Sequence, residues 1–170
     1  MSENMSSDTT PLLALYRKIT RWPLGHWLFS RAVCFKAPYF ATISPRITLL
    51  ENGRCEATIP DRRGVHNHIG TVHAIALCNL AELCAGVMTD ASLPKGMRWI
   101  PKGMTVQYLK KASGRMRGVA TPTIALVTSE TGYELPVNVD VFDPAGERVF
   151  NADVRMWLSA KPPAKAAKSS

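Results

Sequence analysis

The sequence predicts an α+β fold in which one antiparallel sheet of about six strands wraps round a single long helix. Three observations lead to this prediction. Asn52-Gly53 joins two short strand-like runs, as in a tight hairpin. Apolar residues then recur at helical spacing from Thr71 to about Thr89. After Pro94 the pattern changes to strict alternation, which is typical of strands.

The first element is an N-terminal helical segment at residues 11–35. Pro11 suits the first position of a helix, and Pro23 interrupts the apolar pattern that follows. A basic amphipathic segment of this kind can lie on a membrane surface. We favour packing over the domain's own sheet, because small and polar residues interrupt both halves of the segment.

The hairpin pairs Arg46–Leu50 with Arg54–Pro60, and a loop rich in charge and histidine follows at residues 61–70. The next helix, at about 71–89, is predicted to be capped by Thr71. Many of its residues are small, so we expect it to be enclosed on most sides. It carries one acidic residue, Glu82, whose apolar neighbours argue against a solvated position.

The last part of the chain reads as four strands. Alternation is clear at 104–108, 135–141 and 150–158, and residues 114–127 read as one strand that is irregular at Pro122. Short turns between the later strands predict antiparallel pairing.

Length and composition suit one domain at residues 11–160, between a disordered tail at 1–10 and a disordered basic tail at 161–170. The N-terminus lacks a signal-peptide pattern, and no apolar run suggests a membrane span, so we expect a cytoplasmic protein. The net charge of +8 is dispersed, and no nucleic-acid-binding motif is present. An anionic ligand explains this charge as well.

Metal and disulfide chemistry are not expected. The four cysteines show neither metal-ligand nor disulfide-framework spacing, so we interpret them as reduced thiols. The histidines at positions 66, 68 and 73 also lack a known ligand spacing. We predict no metal and no cofactor.

The stretch from Asn67 to Glu82 resembles the motif of hotdog-fold acyl-CoA thioesterases of the phenylacetate-pathway type. Asn67, Gly70-Thr71, His73 and Leu80-Ala81-Glu82 fall at matching positions without a gap. The chain is more similar still to an uncharacterised hotdog branch, a domain of unknown function. That similarity rests on three segments, at 36–40, 67–71 and 99–101, and extends from about Leu12 to Leu158.

The resemblance implies a hotdog fold and hydrolysis of an acyl-CoA to a carboxylic acid and CoA. Glu82 is the expected general base or nucleophile, and Asn67 would orient the water or the carbonyl. His73 belongs to the motif, and holding the loop is its favoured role. A backbone N–H of Ala74 or Ile75 at the helix N-terminus would stabilise the developing oxyanion.

Ala74 and Glu82 are eight residues apart, about 12 Å along a helix, which is far for one substrate atom to touch both. The resemblance implies a homodimer, or a tetramer, with active sites at the subunit boundary. Two departures from the family motif stand out. Ala74-Ile75 replaces paired glycines, and Ile75 would crowd the substrate. The acid is a glutamate in place of aspartate.

Two other functions remain open. A dehydratase or hydratase could use His68 with Glu82, whose spacing of 14 resembles that of carrier-protein dehydratases, or Asp61 with His66. A non-catalytic protein could bind an acyl chain or acyl-CoA, as the Ala74-Ile75 change suggests. Four basic residues near one strand turn are candidates for the CoA phosphates, although a solvated hairpin end explains them equally: Lys110, Lys111, Arg115 and Arg117.

Overall fold

The structure, a computed structural model of one chain, describes residues 9–162. The predicted tails at 1–10 and 161–170 lie almost entirely outside these residues. Three α-helices are present: α1 at Pro11–Ile19, α2 at Gly25–Lys36 and α3 at Ala74–Ser92. Two short 3₁₀ helices lie at Pro38–Ile43 and Arg63–Val65.

Six strands form one antiparallel sheet, which confirms the predicted fold class. They are β1 Arg46–Glu51, β2 Arg54–Ile59, β3 Met97–Tyr108, β4 Met116–Pro122, β5 Tyr133–Phe142 and β6 Arg148–Ala160. Their order across the sheet is β1-β2-β4-β5-β6-β3. The chain therefore crosses from β2 to the far edge before it returns, and β1 and β3 are the two edge strands.

The core lies between α3 and the sheet. Alternate residues of β5 and β6 point into it and are buried: Leu135, Val137, Val139, Val141, Phe150, Ala152, Val154, Met156 and Leu158. Gly118 on β4 allows the helix to come close. A Cβ atom at this position would lie 3.1 Å from both Cys84 Sγ and Leu80 Cγ. A side chain here would push α3 away from the sheet.

Helix α3 starts at Ala74, three residues later than the sequence pattern suggests. Thr71 does not cap it, because its Oγ1 accepts a hydrogen bond from Asn67 Nδ2 at 2.8 Å, while the first-turn N–H of Ile75 donates to His73 Nδ1 at 3.0 Å. His73 is the N-cap, and its extended backbone separates the loop from the helix. The helix then continues to Ser92, beyond the predicted end at Thr89.

By length and composition α3 could cross a membrane, which the sequence analysis did not anticipate. It has 19 residues, and its most apolar window has a mean hydropathy of 1.4. However, 72% of that window is buried inside the fold. The core helix of a soluble protein passes the same test, so this is weak evidence for a span.

Helices α1 and α2 pack against β1, as expected for the N-terminal segment. Leu13, Tyr16 and Phe29 of these helices are buried, and the Tyr16 hydroxyl donates to the Thr48 carbonyl of β1. The second half of the segment differs from expectation in one respect. Leu24, Trp27 and Leu28 continue the apolar pattern, but they are exposed on the outer side of α2.

Candidate active site

Asn67 organises the loop that leads into α3. Its side-chain Oδ1 accepts hydrogen bonds from the N–H groups of Ile69 and Thr71, both at 3.1 Å. Its Nδ2 donates to Thr71 Oγ1 at 2.8 Å. A further bond runs from the Asn67 N–H to the Thr71 carbonyl at 2.8 Å. The amide therefore closes the loop on itself and keeps one N–H hydrogen for another partner.

His73 determines which backbone N–H groups at the start of α3 are hydrogen-bonded and which are free. Its Nδ1 accepts from the N–H of Ile75 at 3.0 Å, so the ring is held as an N-cap. The N–H of Ala76 is bonded to the His73 carbonyl at 2.9 Å. Among the residues that the structure describes, no acceptor is bonded to the N–H of Ala74. Of the two predicted oxyanion donors, Ala74 is therefore the free one.

Glu82 is exposed in this single chain, which differs from the expectation of a sheltered position. It belongs to the outer face of α3 with Ile75 and Cys78, and the sheet covers the opposite face. Of the neighbours that suggested shelter, Asn79 and Leu83 are buried, whereas Ile75 is exposed like Glu82. Asn79 and Leu83 lie on the sides of α3 that the rest of the fold covers. Glu82 lies on the side of α3 that the described chain leaves uncovered.

Strand β3 runs alongside α3 in the opposite direction. Near its end, the Tyr108 hydroxyl lies 3.2 Å from Cys78 Sγ. Near its start, Trp99 Nε1 donates to Asp90 Oδ1 at 2.5 Å. Glu82 lies between these two contacts along the helix. The bond to Cys78, together with partial burial, raises the pKa of Tyr108 to about 12, so the phenol stays protonated at neutral pH.

The predicted CoA-binding residues have different surroundings. The N–H of Val72 donates to the Ala112 carbonyl at 2.8 Å, which holds the segment after β3 beside the start of α3. Lys110 is paired with Glu147. Lys111 and Arg115 are exposed and form no salt bridge with any residue in the range 9–162.

Arg117 points to a different part of the sheet. Its Nη1 donates to Glu56 Oε2 at 3.0 Å, and its guanidinium lies 5.0 Å from the centre of the Phe142 ring. Burial alone would raise the pKa of Glu56, but hydrogen bonds from Arg54 and Arg117 lower it overall. The guanidinium of Arg117 is therefore already engaged by Glu56 and Phe142 on the sheet. Lys111 and Arg115 are the better candidates for binding an anionic ligand.

The histidines of the loop do not converge on Glu82. His68 is exposed, and no hydrogen bond joins it to Glu82 within the described chain. His66 instead forms a close Nε2–Oδ1 interaction with Asp61. No group of three potential ligands that could hold a metal ion occurs among residues 9–162.

Three residues near Glu82 were not predicted to take part. Asn79 is buried, and its Oδ1 has no hydrogen-bond partner, while its Nδ2 donates to Thr42 Oγ1 at 3.2 Å. Cys78 and Tyr108 form the pair described above. The helical spacing of Cys78 and Glu82 could have indicated Cys78. Tyr108 could not be found this way, because its contact joins residues 30 positions apart.

Solved structures support the fold. The crystal structure of the genomics protein APC5556 shares 44% identity, with a TM-score of 0.75 over 88% of this chain and 99% of that chain. PA5026 from Pseudomonas aeruginosa, a protein of unknown function named a probable thioesterase, shares 25% identity with a TM-score of 0.65. That match covers 75% of this chain and 91% of that chain.

Thioesterase HI1161 from Haemophilus influenzae has the same fold at 14% identity, with a TM-score of 0.65 over 94% of this chain and 98% of that chain. No curated protein matches the sequence. The family model described as a domain of unknown function, DUF4442, matches residues 25–158. Because this match covers most of the chain, the protein belongs to the DUF4442 family, and its fold is the thioesterase-like hotdog fold.

Proposed function

We propose that this protein is a thioesterase that hydrolyses an acyl-CoA to a carboxylic acid and CoA. One observation carries the proposal. A free N–H, that of Ala74, lies at the positive end of α3, and an exposed carboxylate, that of Glu82, lies on the outer face of the same helix. Thioester hydrolysis needs these two elements: a donor for the oxyanion, and a base or nucleophile.

We propose further that the working unit is a homodimer that forms through β3. The free N–H and the carboxylate are about 12 Å apart along α3, so one chain does not offer both to the same carbonyl. Beside this surface, β3 presents a 12-residue edge with exposed Ile100, Met104 and Tyr108. A second copy paired there would cover the apolar side chains and bring another loop and helix start towards Glu82.

In the proposed reaction, Glu82 takes a proton from water as the water oxygen bonds to the thioester carbon. The carbonyl oxygen becomes negative and accepts a hydrogen bond from the N–H of Ala74 of the second copy. The C–S bond then breaks, and the CoA thiolate leaves and receives the proton. The products are a carboxylic acid and free CoA thiol. Lys111 and Arg115, near the start of α3, would attract the CoA phosphates.

The direct test is Glu82→Gln, which keeps the size of the side chain and removes its basicity. We expect kcat on an acyl-CoA panel, followed by thiol release, to fall by roughly 10²- to 10⁴-fold. Glu130→Gln, at another exposed glutamate, is the matched control and should change nothing. Equal rates for wild type and Glu82→Gln on every substrate would rule out the assigned role. Acyl-CoA that raises Tm without turnover would favour a binding protein instead.

A single turnover in H₂¹⁸O tests whether Glu82 acts as a nucleophile, because label in the enzyme can arise only through a mixed anhydride. A general base leaves ¹⁸O only in the product acid. A nucleophile forms a mixed anhydride, and attack of water on the Glu82 side of it leaves ¹⁸O in the enzyme. Mass spectrometry of the peptide that contains Glu82 would detect this label. We expect none, because the exposed carboxylate leaves room for water between itself and the carbonyl.

A hydratase is the second candidate, and the close pair of His66 and Asp61 favours it. A carboxylate can hold an imidazole in the orientation that acid–base chemistry at an enoyl thioester requires. Crotonyl-CoA is the discriminating substrate. Loss of enoyl absorbance without thiol release, abolished by His66→Gln and kept in Glu82→Gln, would support the hydratase over the thioesterase.

A further inference from the structure

Helix α2 has two apolar faces, and only one of them is packed. At 100° per residue, the buried side chains of Phe29, Ser30 and Cys34 lie on one side of the helix. The opposite side is an arc of about 140° formed by six residues. They are Leu24, Trp27, Leu28, Arg31, Ala32 and Phe35, and all of them are exposed. We call these six residues, with Trp22 and Tyr39 at the two ends, the outer patch.

The outer patch is unusually apolar for a solvated surface. Phe35 is 92% exposed and Trp22 is 71% exposed, and four further large apolar side chains of the patch are more than a third exposed. Contiguous exposed apolar surface of this kind marks a site of interaction with a protein or a membrane. Nothing in the packing of α1, α2 and β1 requires these side chains to be apolar.

Charge indicates which kind of surface would cover the patch. No acidic residue occurs between Asp8 and Glu51. The same segment contains six basic residues, Arg17, Lys18, Arg21, Arg31, Lys36 and Arg46. None of the six forms a salt bridge with another residue in the range 9–162. The segment 9–50 therefore carries a charge of +6, and three of these residues belong to the outer patch or adjoin it in sequence: Arg31 lies within the arc, Arg21 precedes Trp22, and Lys36 follows Phe35.

A second copy of this chain fits the patch poorly. A two-fold interface brings the same surface against itself, so Arg31 and its basic neighbours would face an equal set of positive charges. An anionic bilayer offers the complementary arrangement. Negative headgroups attract the lysines and arginines, and the boundary between headgroups and acyl chains accepts Trp, Leu and Phe side chains.

We propose that the outer patch binds the surface of a bilayer that contains anionic phospholipids, with the axis of α2 parallel to the membrane plane. The apolar arc would enter the headgroup boundary, and the basic residues would contact the headgroups. Most of the patch lies on α2, which packs on the β1 edge, whereas the Cys78–Tyr108 contact of the candidate active site joins α3 to β3 at the other edge of the sheet. Membrane binding therefore does not require the proposed thioesterase activity.

Cosedimentation of the full chain with vesicles tests this proposal. We expect about tenfold stronger binding to an equal mixture of phosphatidylglycerol and phosphatidylcholine than to phosphatidylcholine alone. Raising the salt from about 50 mM to about 500 mM should remove most of this difference. Arg31→Glu and the double variant Trp27→Ser/Phe35→Ser should each weaken binding by about tenfold.

Two control variants make the same kinds of substitution, a charge reversal and a loss of apolar side chains, outside the outer patch. Lys161→Glu alters charge at the far end of the chain, and Ile124→Ser/Val127→Ser removes exposed apolar side chains from the loop after β4. Both should bind vesicles as the wild type does. Equal binding by wild type and patch variants would overturn the proposal. So would patch variants that convert an oligomer into monomers in light scattering while vesicle binding stays unchanged.

Discussion

The two edges of the sheet are treated differently by the rest of the chain. At β1, side chains of the N-terminal helices reach backbone groups of the strand. Ser30 Oγ accepts from the N–H of Ile47 at 2.8 Å, and His26 Nδ1 lies 3.1 Å from the Ile47 carbonyl. The Tyr16 hydroxyl donates to the Thr48 carbonyl at 3.2 Å. Helices α1 and α2 thus protect an edge that would otherwise attract another strand.

The β3 edge has no such cover within the described chain. Strand β3 is twice as long as β1, and most of its side chains are exposed. Long uncovered edges with apolar side chains favour association. The N-terminal helices therefore close one edge of the sheet, and the other edge, beside the Cys78–Tyr108 contact, is the one at which we propose that a second copy pairs.

The largest effect is expected from Met104→Lys, which places a charge in the middle of the open edge. Buried charge opposes strand pairing, so the proposed dimer should dissociate to monomers in light scattering. If the site needs a second copy, kcat/KM should fall by more than about 100-fold. Ile124→Lys, on an exposed loop, should leave both measurements unchanged. A fully active monomer would show that one chain is sufficient.

A smaller effect is expected from Ser30→Ala at the closed edge. Ser30 is only 1% exposed, and its loss leaves the N–H of Ile47 buried without an acceptor. We expect the free energy of unfolding to fall by about 1–3 kcal/mol in chemical denaturation. Ser113→Ala, at an exposed serine, is the matched control. Unchanged stability of Ser30→Ala would mean that water replaces the hydroxyl and that the helices do not close the edge in this way.

The smallest effect concerns pH and belongs to the open edge. The pKa of Tyr108 is raised to about 12 in the folded chain by the Cys78 contact and burial. The ordinary value is 10.0, so the stabilising contribution is complete below pH 10 and is lost as the pH rises towards 12. Tyr108→Phe should therefore flatten the alkaline decline of stability in urea titrations between these pH values. A decline identical to that of the wild type would assign it to other groups.

Much of the fold could be predicted from local patterns. The alternation of residues 135–141 and the Asn52-Gly53 turn are short-range signals, and the structure contains both elements. The residue at which α3 starts was harder to predict, because Thr71 and His73 both suit an N-cap position. The side chain of Asn67 decides between them, because its Nδ2 donates to Thr71 Oγ1 and leaves His73 to accept the N–H of Ile75.

The sequence could predict which residues belong to the candidate site, but it could not predict the surroundings of their side chains. The motif pointed to Asn67, His73 and Glu82, whose roles remain predictions. Their surroundings depend on which side of α3 the sheet covers, and that follows from the crossing of β3 to the far edge. Helical spacing correctly grouped Glu82 with Ile75, but it could not show that this face is open.

Two glycines at the contacts of α3, Gly86 within the helix and Gly118 on β4, restrict how the helix can move. Gly118 lies against Leu80 and Cys84 on one side, and a Cβ at Gly86 would lie 3.0 Å from the Trp99 ring on another. With both contacts this close, the helix has little freedom to slide or tilt. The separation between the free N–H of Ala74 and the carboxylate of Glu82 along the helix is therefore fixed. In the proposed thioesterase, adjustment to acyl chains of different size would therefore come from the Asn67 loop and from the second copy that we propose at the open edge.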